Sequence, residues 1–437
     1  MKTTHKRVLI VSHNALSETK NNGKTLASFF QGWPEEALAQ LYIWKEEPSG
    51  QVCSRFFRMT DFDILKANMR FGAAKGARIQ IQKGAAKGGF EREAKKRKLS
   101  LSPIIHVLFR NRAPAAELTR NIMWRGKKYR SAELLGWLDE YKPEAVFFQG
   151  SSMAFLYKIV LWICERYDAK LLLQLTDDYT YVRLWFSPIS WINHAWYMKW
   201  FKKGLARAQT VFAISPAMKA EYEHLYGHSN IRLAANSTEL FEMFTSVKRR
   251  EPLCLTYAGN ILLSRLDILR LIGEALRELH GEGLHGILTV YTPKAASKKQ
   301  EKILTLPPCL SYGGSLNPAQ LAEAYENSDI LVHVESFHRR QKKVTRLSLS
   351  TKIPEYLARG KCILAVGPED IASIRYLKET DAALVITEKE KQLMRKQLKQ
   401  LFDKQFRARA SEAALAIARQ NHDRARIQND IAQLINN

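Results

Sequence analysis

Ser350–Pro368 reads STKIPEYLARGKCILAVGP, a succession of polar loop, short helix, glycine stop and buried strand. Ser350 and Thr351 are residue types that favour the N-cap of a helix, and Gly360 suits the C-terminal cap. Glu355 then lies within about one turn of the helix start, beside backbone N–H groups without intrahelical partners. Such an end can bind an anion such as a nucleotide diphosphate, while the carboxylate accepts hydrogen bonds from ribose hydroxyls. On local physics alone, Glu355 could equally do no more than complement the helix dipole.

Length and composition predict a globular protein of two domains. The chain has 437 residues, of which 46% are hydrophobic, enough for two cores. The five cysteines are scattered and never form a C-x-x-C pair, which argues against a disulfide framework or zinc site and fits a reducing compartment. The apolar run Val8–Val11 is too short for a signal peptide, and no run approaches the ~20 residues of a spanning helix. We therefore expect a cytoplasmic protein, peripheral on the inner face of the cytoplasmic membrane.

The positive charge is concentrated in one segment. The net charge is +25, and residues 66–130 hold 18 Lys or Arg against three Glu. Such a field attracts nucleic acid, anionic lipid or phosphorylated substrates, and charge alone does not choose among them. The Gly/Ala/Lys repeats of this segment are typical of a flexible basic insertion.

Short apolar strands alternate with helical patterns, which indicates doubly wound parallel sheets. We expect a Rossmann-like N-terminal domain over 1–245, interrupted by the basic insertion at about 66–130, and a second Rossmann-like domain over 252–400. The helical tail, 401–437, carries apolar stripes and is expected to pack back on the N-terminal domain. Two such α/β domains in one chain usually face each other across a cleft, with ligands at the carboxyl ends of the strands. The predicted strands are Lys6–Ser12, Ala145–Phe148, Leu171–Leu175, Thr210–Ile214, Cys254–Tyr257, Gly286–Tyr291, Leu310–Tyr312, Ile330–Val334 and Cys362–Val366.

Four motifs follow one another along the chain and span most of it. They are Asn21–Thr25 after the first strand, Phe212–Met218 with Tyr222 and Asn236, Tyr257–Asn260 with Arg265, and Ser350–Pro368. Their order resembles that of nucleotide-sugar glycosyltransferases of the GT-B fold, specifically the retaining type of glycosyltransferase family 4. The order is more specific than any single motif.

The resemblance implies transfer of a sugar from a UDP- or GDP-sugar with retention of anomeric configuration, in the synthesis of a bacterial surface polysaccharide. It implies that the loop at Gly23 faces the donor phosphates. It also implies that Gly259 and Asn260 open the nucleotide-binding domain, and that Ser350 and Thr351 begin the donor-binding helix. The acceptor that it implies is a saccharide, which the charge pattern suggests is linked to a lipid.

Two departures from the family pattern concern the donor site. Glu355 matches the second acid of a Glu–seven residues–Glu motif, which contacts the nucleotide ribose in the family, but the first acid would fall at Leu347. Glu335, the nearest upstream acid, is the candidate for contacts to the sugar. A basic pair neutralises the diphosphate in the family, and Arg265 resembles one member. Lys352 is the candidate for the other.

Two acidic motifs are candidates for catalytic or metal-binding groups. Asp177 and Asp178 follow the predicted strand Leu171–Leu175, at the end where α/β folds place their sites. Because adjacent residues point differently, we expect at most one to face the cleft and contact sugar or acceptor, the alternative being a turn or cap role. Asp61 and Asp63 have metal-ligand spacing but lie outside the donor half. A solvated helix start is a commoner role for such a pair than a metal site. We expect no metal and no cofactor, and we assign no enzymic nucleophile.

Aromatic and basic residues are interleaved in two places, which fits docking to an anionic membrane surface. One is the insertion, with Phe109, Trp124 and Tyr129; the other is 185–203, with four tryptophans and three lysines. The alternative interpretations are a solvated loop and an interdomain helix with core tryptophans. A nucleic-acid-binding protein is the runner-up function, although no RNP, KH or zinc-finger pattern supports a nucleic-acid partner. A sugar-nucleotide epimerase or hydrolase of GT-B fold is a third possibility.

Overall fold

The computed structural model describes residues 5–17, 21–49, 52–70, 72–81, 113–182, 184–234, 251–262 and 264–437. About half of the predicted basic insertion, including Phe109, and the motif residue Asn236 lie outside these residues. The chain divides into two compact units. Over its described residues, the first unit takes Met1–Ile214, Lys219–Ala234 and Ala425–Asn437, and the second takes Ser215–Met218 and Ala235–Arg424.

The first unit is built on a sheet of eight described strands in the order β4-β3-β2-β1-β5-β6-β7-β8. All neighbours are parallel except β3 and β4. The strands are β1 Val8–Ser12, β2 Leu38–Tyr42, β3 Arg55–Arg58, β4 Ala77–Gln80, β5 Ala145–Gln149, β6 Lys170–Leu175, β7 Thr210–Ala213 and β8 Ile231–Leu233. The helices are α1 Asn21–Phe29, α2 Asp61–Met69, α3 Pro114–Met123, α4 Ala132–Tyr141, α5 Ala154–Tyr167, α6 Pro188–Arg207 and α7 Pro216–Tyr226.

The second unit has a six-stranded parallel sheet in the order β11-β10-β9-β12-β13-β14. Counted from its own first strand this is 3-2-1-4-5-6, the Rossmann order, whose direction reverses between β9 and β12. The strands are β9 Leu253–Ala258, β10 Gly286–Tyr291, β11 Leu310–Gly314, β12 Ile330–Val334, β13 Cys362–Val366 and β14 Ala383–Ile386. The helices are α8 Arg265–Gly281, α9 Lys298–Ile303, α10 Pro318–Glu326, α11 Arg339–Thr345, α12 Lys352–Ala358, α13 Ala372–Lys378, α14 Lys391–Leu398 and α15 Lys404–Asn421.

Buried apolar strands place the core of each unit at its sheet. Every residue of β1, β12 and β13 is buried, as expected for central strands covered on both faces. In the second unit, α8 packs Ile268, Ile272 and Leu276 into the same core as β9 and β12. The 3.6-residue spacing of these apolar positions is what makes α8 a helix with one inward stripe.

The C-terminal tail is shared between the units. The last helix, α16 Arg424–Asn436, places Ile427, Ile431 and Ile435 in the core of the first unit. Helix α15 instead contributes to the second unit, where Ala410 joins the core cluster. The sequence predicted that the whole tail, 401–437, packs on the N-terminal domain. The structure assigns only the segment from Ala425 onward to the first unit.

The stretch Ser350–Pro368 forms the predicted helix and strand, α12 and β13, with Gly360 between them. Gly360 has φ +57°, which a residue with a side chain adopts only at a cost. Thr351 occupies the predicted N-cap, but in a helical conformation, and its side chain makes no capping hydrogen bond. The amide of Ser350 donates to Ser373 Oγ at 3.0 Å. This hydrogen bond anchors the loop before α12 on α13.

Trp124 and Tyr129 are buried, with 1% of each residue exposed, so they cannot lie in a membrane interface as the sequence suggested. Asp61 explains the burial of Trp124. Its Oδ1 accepts hydrogen bonds from Arg120 Nε at 2.8 Å and Trp124 Nε1 at 2.7 Å. Asp63 instead closes a capping box with Thr60 at the start of α2. Both carboxylates therefore have structural partners.

Candidate functional site

The candidate donor site lies in the second unit at the carboxyl ends of β9 and β12, the two strands between which the strand order reverses. In doubly wound folds this switch point is where ligands bind. Gly259 and Asn260 follow β9, Arg265 begins α8, and Glu335 follows β12. Lys352, the first residue of α12, reaches the same place.

Arg265 and Glu335 form an ion pair at this point. Arg265 Nη2 lies 3.0 Å from Glu335 Oε2, and Arg265 Nε donates to the Val334 carbonyl at 3.0 Å. The Glu335 side chain is only 5% exposed. Burial by itself would raise the pKa of the Glu335 carboxyl, but His333 and Arg265 outweigh burial and lower that pKa to about 2. Glu335 is therefore an ionised carboxylate at neutral pH.

His333 is a member of this cluster that the sequence did not single out. Its ring Nε2 lies 3.3 Å from Glu335 Oε1, on the opposite carboxylate oxygen from Arg265. Burial lowers the pKa of His333, more than the neighbouring Glu335 raises it, so the ring is neutral at pH 7. Arg265 consequently supplies the positive charge that balances Glu335. The signal available in the sequence was the period of two in β12, which puts residues 333 and 335 on the same side.

Lys352 provides the second positive charge of the site. Its ammonium donates to the Ala258 carbonyl at 2.9 Å and lies 4.7 Å from the ring centroid of Tyr257. Burial, assisted by the charge of Arg265, lowers the pKa of Lys352 to about 8. In the part of the chain that the structure describes, no carboxylate lies within ion-pair distance of Lys352. Its charge is held by a carbonyl dipole and an aromatic face.

Two glycines give these charged side chains room. A Cβ atom on Gly259 would overlap the Lys352 ammonium, and a Cβ on Gly367 would come within 2.8 Å of Glu335 Cβ. Tyr257, whose ring carries Lys352, donates its hydroxyl to the Asn260 carbonyl at 2.8 Å. The Asn260 side-chain oxygen accepts from the Leu262 amide at 2.7 Å, so this side chain shapes the loop after β9.

Glu355 lies one turn further along α12 than Lys352. One oxygen pairs with Arg359 at 3.3 Å, and Arg359 also pairs with Glu326 at 2.5 Å. The Arg359 side chain is buried, whereas that of Glu355 is 38% exposed. Arg359 therefore fixes the position of Glu355 from beneath and leaves part of the carboxylate at the surface.

The remaining predicted site residues belong to the first unit. A Cβ on Gly23, in α1, would overlap the Ala15 carbonyl oxygen, so glycine is required by the close approach of the loop after β1. Asp178 is buried and accepts from the Thr180 amide at 2.9 Å and from Tyr222 Oη at 3.1 Å. Asp177 is partly exposed and accepts from Tyr179 Oη at 3.2 Å. Within this adjacent pair, Asp178 anchors the loop after β6 and Asp177 is closer to the surface.

The described residues offer neither a metal site nor a membrane-spanning helix. They contain no group of three His, Cys, Asp or Glu side chains arranged to hold a metal ion. None of the described helices is long and apolar enough to cross a bilayer.

Comparison with solved structures identifies the fold. HepE of Anabaena in complex with UDP superposes with a TM-score of 0.57 at 13% identity, covering 98% of this chain and 99% of that one. An α,α-trehalose 6-phosphate synthase from Burkholderia multivorans gives 0.59 at 12% identity, covering 99% and 98%. The chain has a GT-B fold. A UDP-forming trehalose-phosphate synthase from Burkholderia xenovorans, in complex with glucose-6-phosphate, gives 0.58 at 10% identity with 99% and 100% covered. No family model and no curated protein sequence matches the chain.

The GT-B fold predicted from the sequence is thus confirmed. Within the second unit, the structure brings Gly259, Arg265, Glu335 and Lys352 together, with Glu355 on the same short helix as Lys352. Gly23, Asp177 and Asp178 lie in the first unit, where Asp178 is occupied by hydrogen bonds from Thr180 in its own loop and from Tyr222 in α7.

Proposed function

We propose that the protein is a glycosyltransferase that takes its sugar from a UDP- or GDP-sugar bound in the second unit. The observation that carries the proposal is the convergence of Arg265 and Lys352 at the strand-order reversal of a Rossmann sheet. Two cations at this position, one of them without a carboxylate partner among the described residues, suit the two phosphates of a nucleoside diphosphate.

In the proposed site the cations act on the leaving group. Negative charge grows on the diphosphate as the sugar departs, and charges fixed in a partly buried position stabilise it without reorganisation. Lys352 is expected to contact one phosphate directly. Arg265 is held by Glu335, so a donor phosphate would share it with that carboxylate.

The carboxylates are proposed to bind the two ends of the donor. Glu355, fixed by Arg359 and partly exposed, would accept hydrogen bonds from the ribose hydroxyls. Glu335 would contact the sugar, in place of the missing first acid of the family motif. Retention would follow a front-face course without an enzymic nucleophile, and Asp177 would contact the sugar or acceptor.

The proposal extends to the acceptor and the place of action. Among proteins of this fold, HepE is described with UDP and a trehalose-phosphate synthase with glucose-6-phosphate, which supports a nucleotide-sugar donor and a phosphorylated acceptor. The basic charge, with aromatic residues exposed on α6 and just before it, favours a lipid-linked saccharide in surface polysaccharide synthesis. Work at the inner face of the cytoplasmic membrane, without a metal, is part of the same proposal.

Differential scanning fluorimetry tests the donor site. UDP, GDP and their glucose, mannose and N-acetylglucosamine esters are added singly, with EDTA and with Mg²⁺. We expect one nucleoside diphosphate to raise the melting temperature in EDTA, and its effect to disappear in Lys352→Met. Stabilisation by none of these compounds would reject the proposed donor, and stabilisation confined to Mg²⁺ would reject the metal-free site. Release of the same diphosphate from its sugar, dependent on a lipid-diphosphate sugar acceptor, would separate transfer from epimerisation and hydrolysis.

A further inference from the structure

A cavity of about 440 Å³ lies in the first unit between α3, α5 and α6. Three of its lining residues are cationic and four are aromatic, and none of the eight is acidic. They are Asn121, Trp124, Arg125, Phe155, Lys158, Trp196, Lys199 and Trp200. A basic and aromatic lining of this kind matches a ligand with a negative group joined to an apolar body.

The positive charge of the cavity is not neutralised by its own walls. Lys158 donates to the carbonyls of Arg125 and Gly126. Burial and the like charges of Arg130, Lys127 and Arg125 lower the pKa of Lys158. The nearby carboxylate of Asp61 is already used by Arg120 and Trp124. An anion entering the cavity would therefore relieve repulsion among cations that the fold has brought together.

The apolar walls are fixed before any ligand arrives. The rings of Trp124 and Phe155 stack with centroids 4.2 Å apart, and the Arg120 guanidinium lies 5.1 Å from the Phe155 centroid on the same cluster. Asp61 holds Arg120 and Trp124 in place through one oxygen. A cavity with walls of this kind requires little ordering on binding, which favours affinity.

Helix α6 continues the cavity onto the surface. At 100° per residue, Ile192, Trp196, Lys199 and Lys203 fall within about 60° of arc, so one stripe of the helix joins the cavity to exposed positions. Trp185 and Phe186, just before the helix, are 74% and 69% exposed. The indole N–H of Trp191 donates to the Trp185 carbonyl at 2.7 Å and fixes this end. Large apolar side chains exposed together usually mark an interaction surface.

We propose that this cavity binds the phosphate group of an anionic membrane lipid while Trp185, Phe186 and Trp191 enter the headgroup region of the bilayer. The inference deepens the proposed function, on whose membrane-borne acceptor it rests, by assigning the lipid phosphate to named residues. The lipid is favoured over nucleic acid because Trp185, Phe186 and Ile192 offer apolar surface beside the cations. Such surface is stabilised at the boundary of headgroups and acyl chains.

Co-sedimentation with vesicles tests the site on the full chain, without donor. Vesicles of phosphatidylcholine are compared with vesicles in which about a third of the lipid is phosphatidylglycerol. The cavity variant is Lys158→Gln with Lys199→Gln. The matched control is Lys298→Gln with Lys396→Gln, which removes the same charge from exposed positions of the second unit. A third variant, Trp185→Ser with Phe186→Ser, removes the apolar part.

We expect the protein to bind only to the anionic vesicles. The affinity should fall about thirty-fold in the cavity variant and less than about two-fold in the control. It should also fall strongly in the Trp185→Ser, Phe186→Ser variant. Quenching of wild-type tryptophan fluorescence by brominated lipid is expected as a readout that requires no variant. Equal losses in the cavity variant and its control, undiminished binding in the cavity variant, or absence of quenching would each overturn the site. Displacement of bound protein from the vesicles by a short RNA at matched salt would assign the surface to nucleic acid instead.

The two proposals fail separately. UDP and GDP are added to every variant in the fluorimetric assay, where the cavity variant should respond as the wild type does. Vesicle binding without any nucleotide response would reject the donor site and leave the lipid site standing. A nucleotide response without vesicle binding would reject the lipid site and leave the donor site standing.

Discussion

The ammonium of Lys352 occupies the space that a side chain on residue 259 would fill, so Gly259 and Lys352 are mutually dependent. The glycine after β9 is therefore explained by a cation reaching in from α12, 93 positions later in the chain. Lys352 gains the Ala258 carbonyl and the Tyr257 ring as partners in return. This contact connects the first and the last sequence motif of the donor site, Tyr257–Asn260 and Ser350–Pro368.

Gly259→Ala is expected to weaken nucleoside-diphosphate binding at least ten-fold while the protein stays folded. The added methyl group overlaps the Lys352 ammonium, which must swing away because the Ala258 backbone cannot move easily. Isothermal titration measures the affinity. The control is Gly281→Ala at the end of α8, where a Cβ meets no atom within 4 Å. Loss of affinity in the control, or none in Gly259→Ala, would contradict this dependence.

Lys352 should impose a pH dependence on donor binding. Its pKa in the free protein is lowered from 10.5 to about 8, and the diphosphate needs the charged form. Affinity is therefore expected to fall as pH rises from 8 to 10, and Lys352→Met should bind weakly with a flatter profile over that range. Titration of wild type and variant between pH 7 and 10 decides this. A profile in the variant as steep as that of the wild type would assign the ionisation to another group.

The same ionisation affects stability with a defined sign. Between pH 8 and 10.5 the unfolded chain keeps a proton on Lys352 that the folded chain has lost. Folding stability contributed by this group therefore rises with pH through that interval. Lys352→Met removes the contribution, so the stability of the variant should respond less to pH. Urea unfolding at pH 7.5 and 10 measures the difference; a larger response in the variant would contradict the assignment.

Arg265 and Glu335 are expected to behave as a coupled pair. Arg265→Ala leaves a buried carboxylate without its counter-charge, and loss of one partner of a buried pair costs about 3–5 kcal/mol. Glu335→Gln should be milder, and the double variant should recover part of the loss. Unfolding of the four proteins at pH 7 gives the coupling free energy. Additive effects of the two substitutions would show that the ion pair contributes nothing.

The pH response of this pair has the same sign as that of Lys352 but falls in the acid range, because stability again rises with pH. The pKa of Glu335 is lowered from 4.5 to about 2. The stability that it contributes is complete above about pH 4.5 and is lost as pH falls from there to 2. Glu335→Gln should therefore reduce the loss of stability in that acid window. An unchanged acid transition in the variant would place the responsible carboxylate elsewhere.

The sequence predicted much of this arrangement because its signals are local. Alternating apolar strands and helices give the βα order, and the motif order pointed to Arg265 and Lys352. Contacts between distant positions had no such signal. Trp124, which its basic neighbours had suggested was at a surface, is buried and donates a hydrogen bond to Asp61, which also pairs with Arg120. Thr351 is a residue type that favours the N-cap, but it makes no capping hydrogen bond, and the loop before α12 is anchored on Ser373 through the Ser350 amide.

Substitutions of Asp177 and Asp178 should differ in whether they lower stability, turnover or both. Asp178 accepts hydrogen bonds from Thr180 and Tyr222, and its removal leaves buried donors unsatisfied, at about 1–3 kcal/mol. Asp178→Ala is therefore expected to lower both stability and turnover, whereas Asp177→Ala should lower kcat with the melting temperature nearly unchanged. Steady-state kinetics and fluorimetry on both variants make the comparison, with Tyr222→Phe as the control that removes one partner of Asp178. Wild-type turnover in Asp177→Ala would exclude Asp177 from the catalytic site. A stable but inactive Asp178→Ala would show that the buried carboxylate, rather than its neighbour, takes part in transfer.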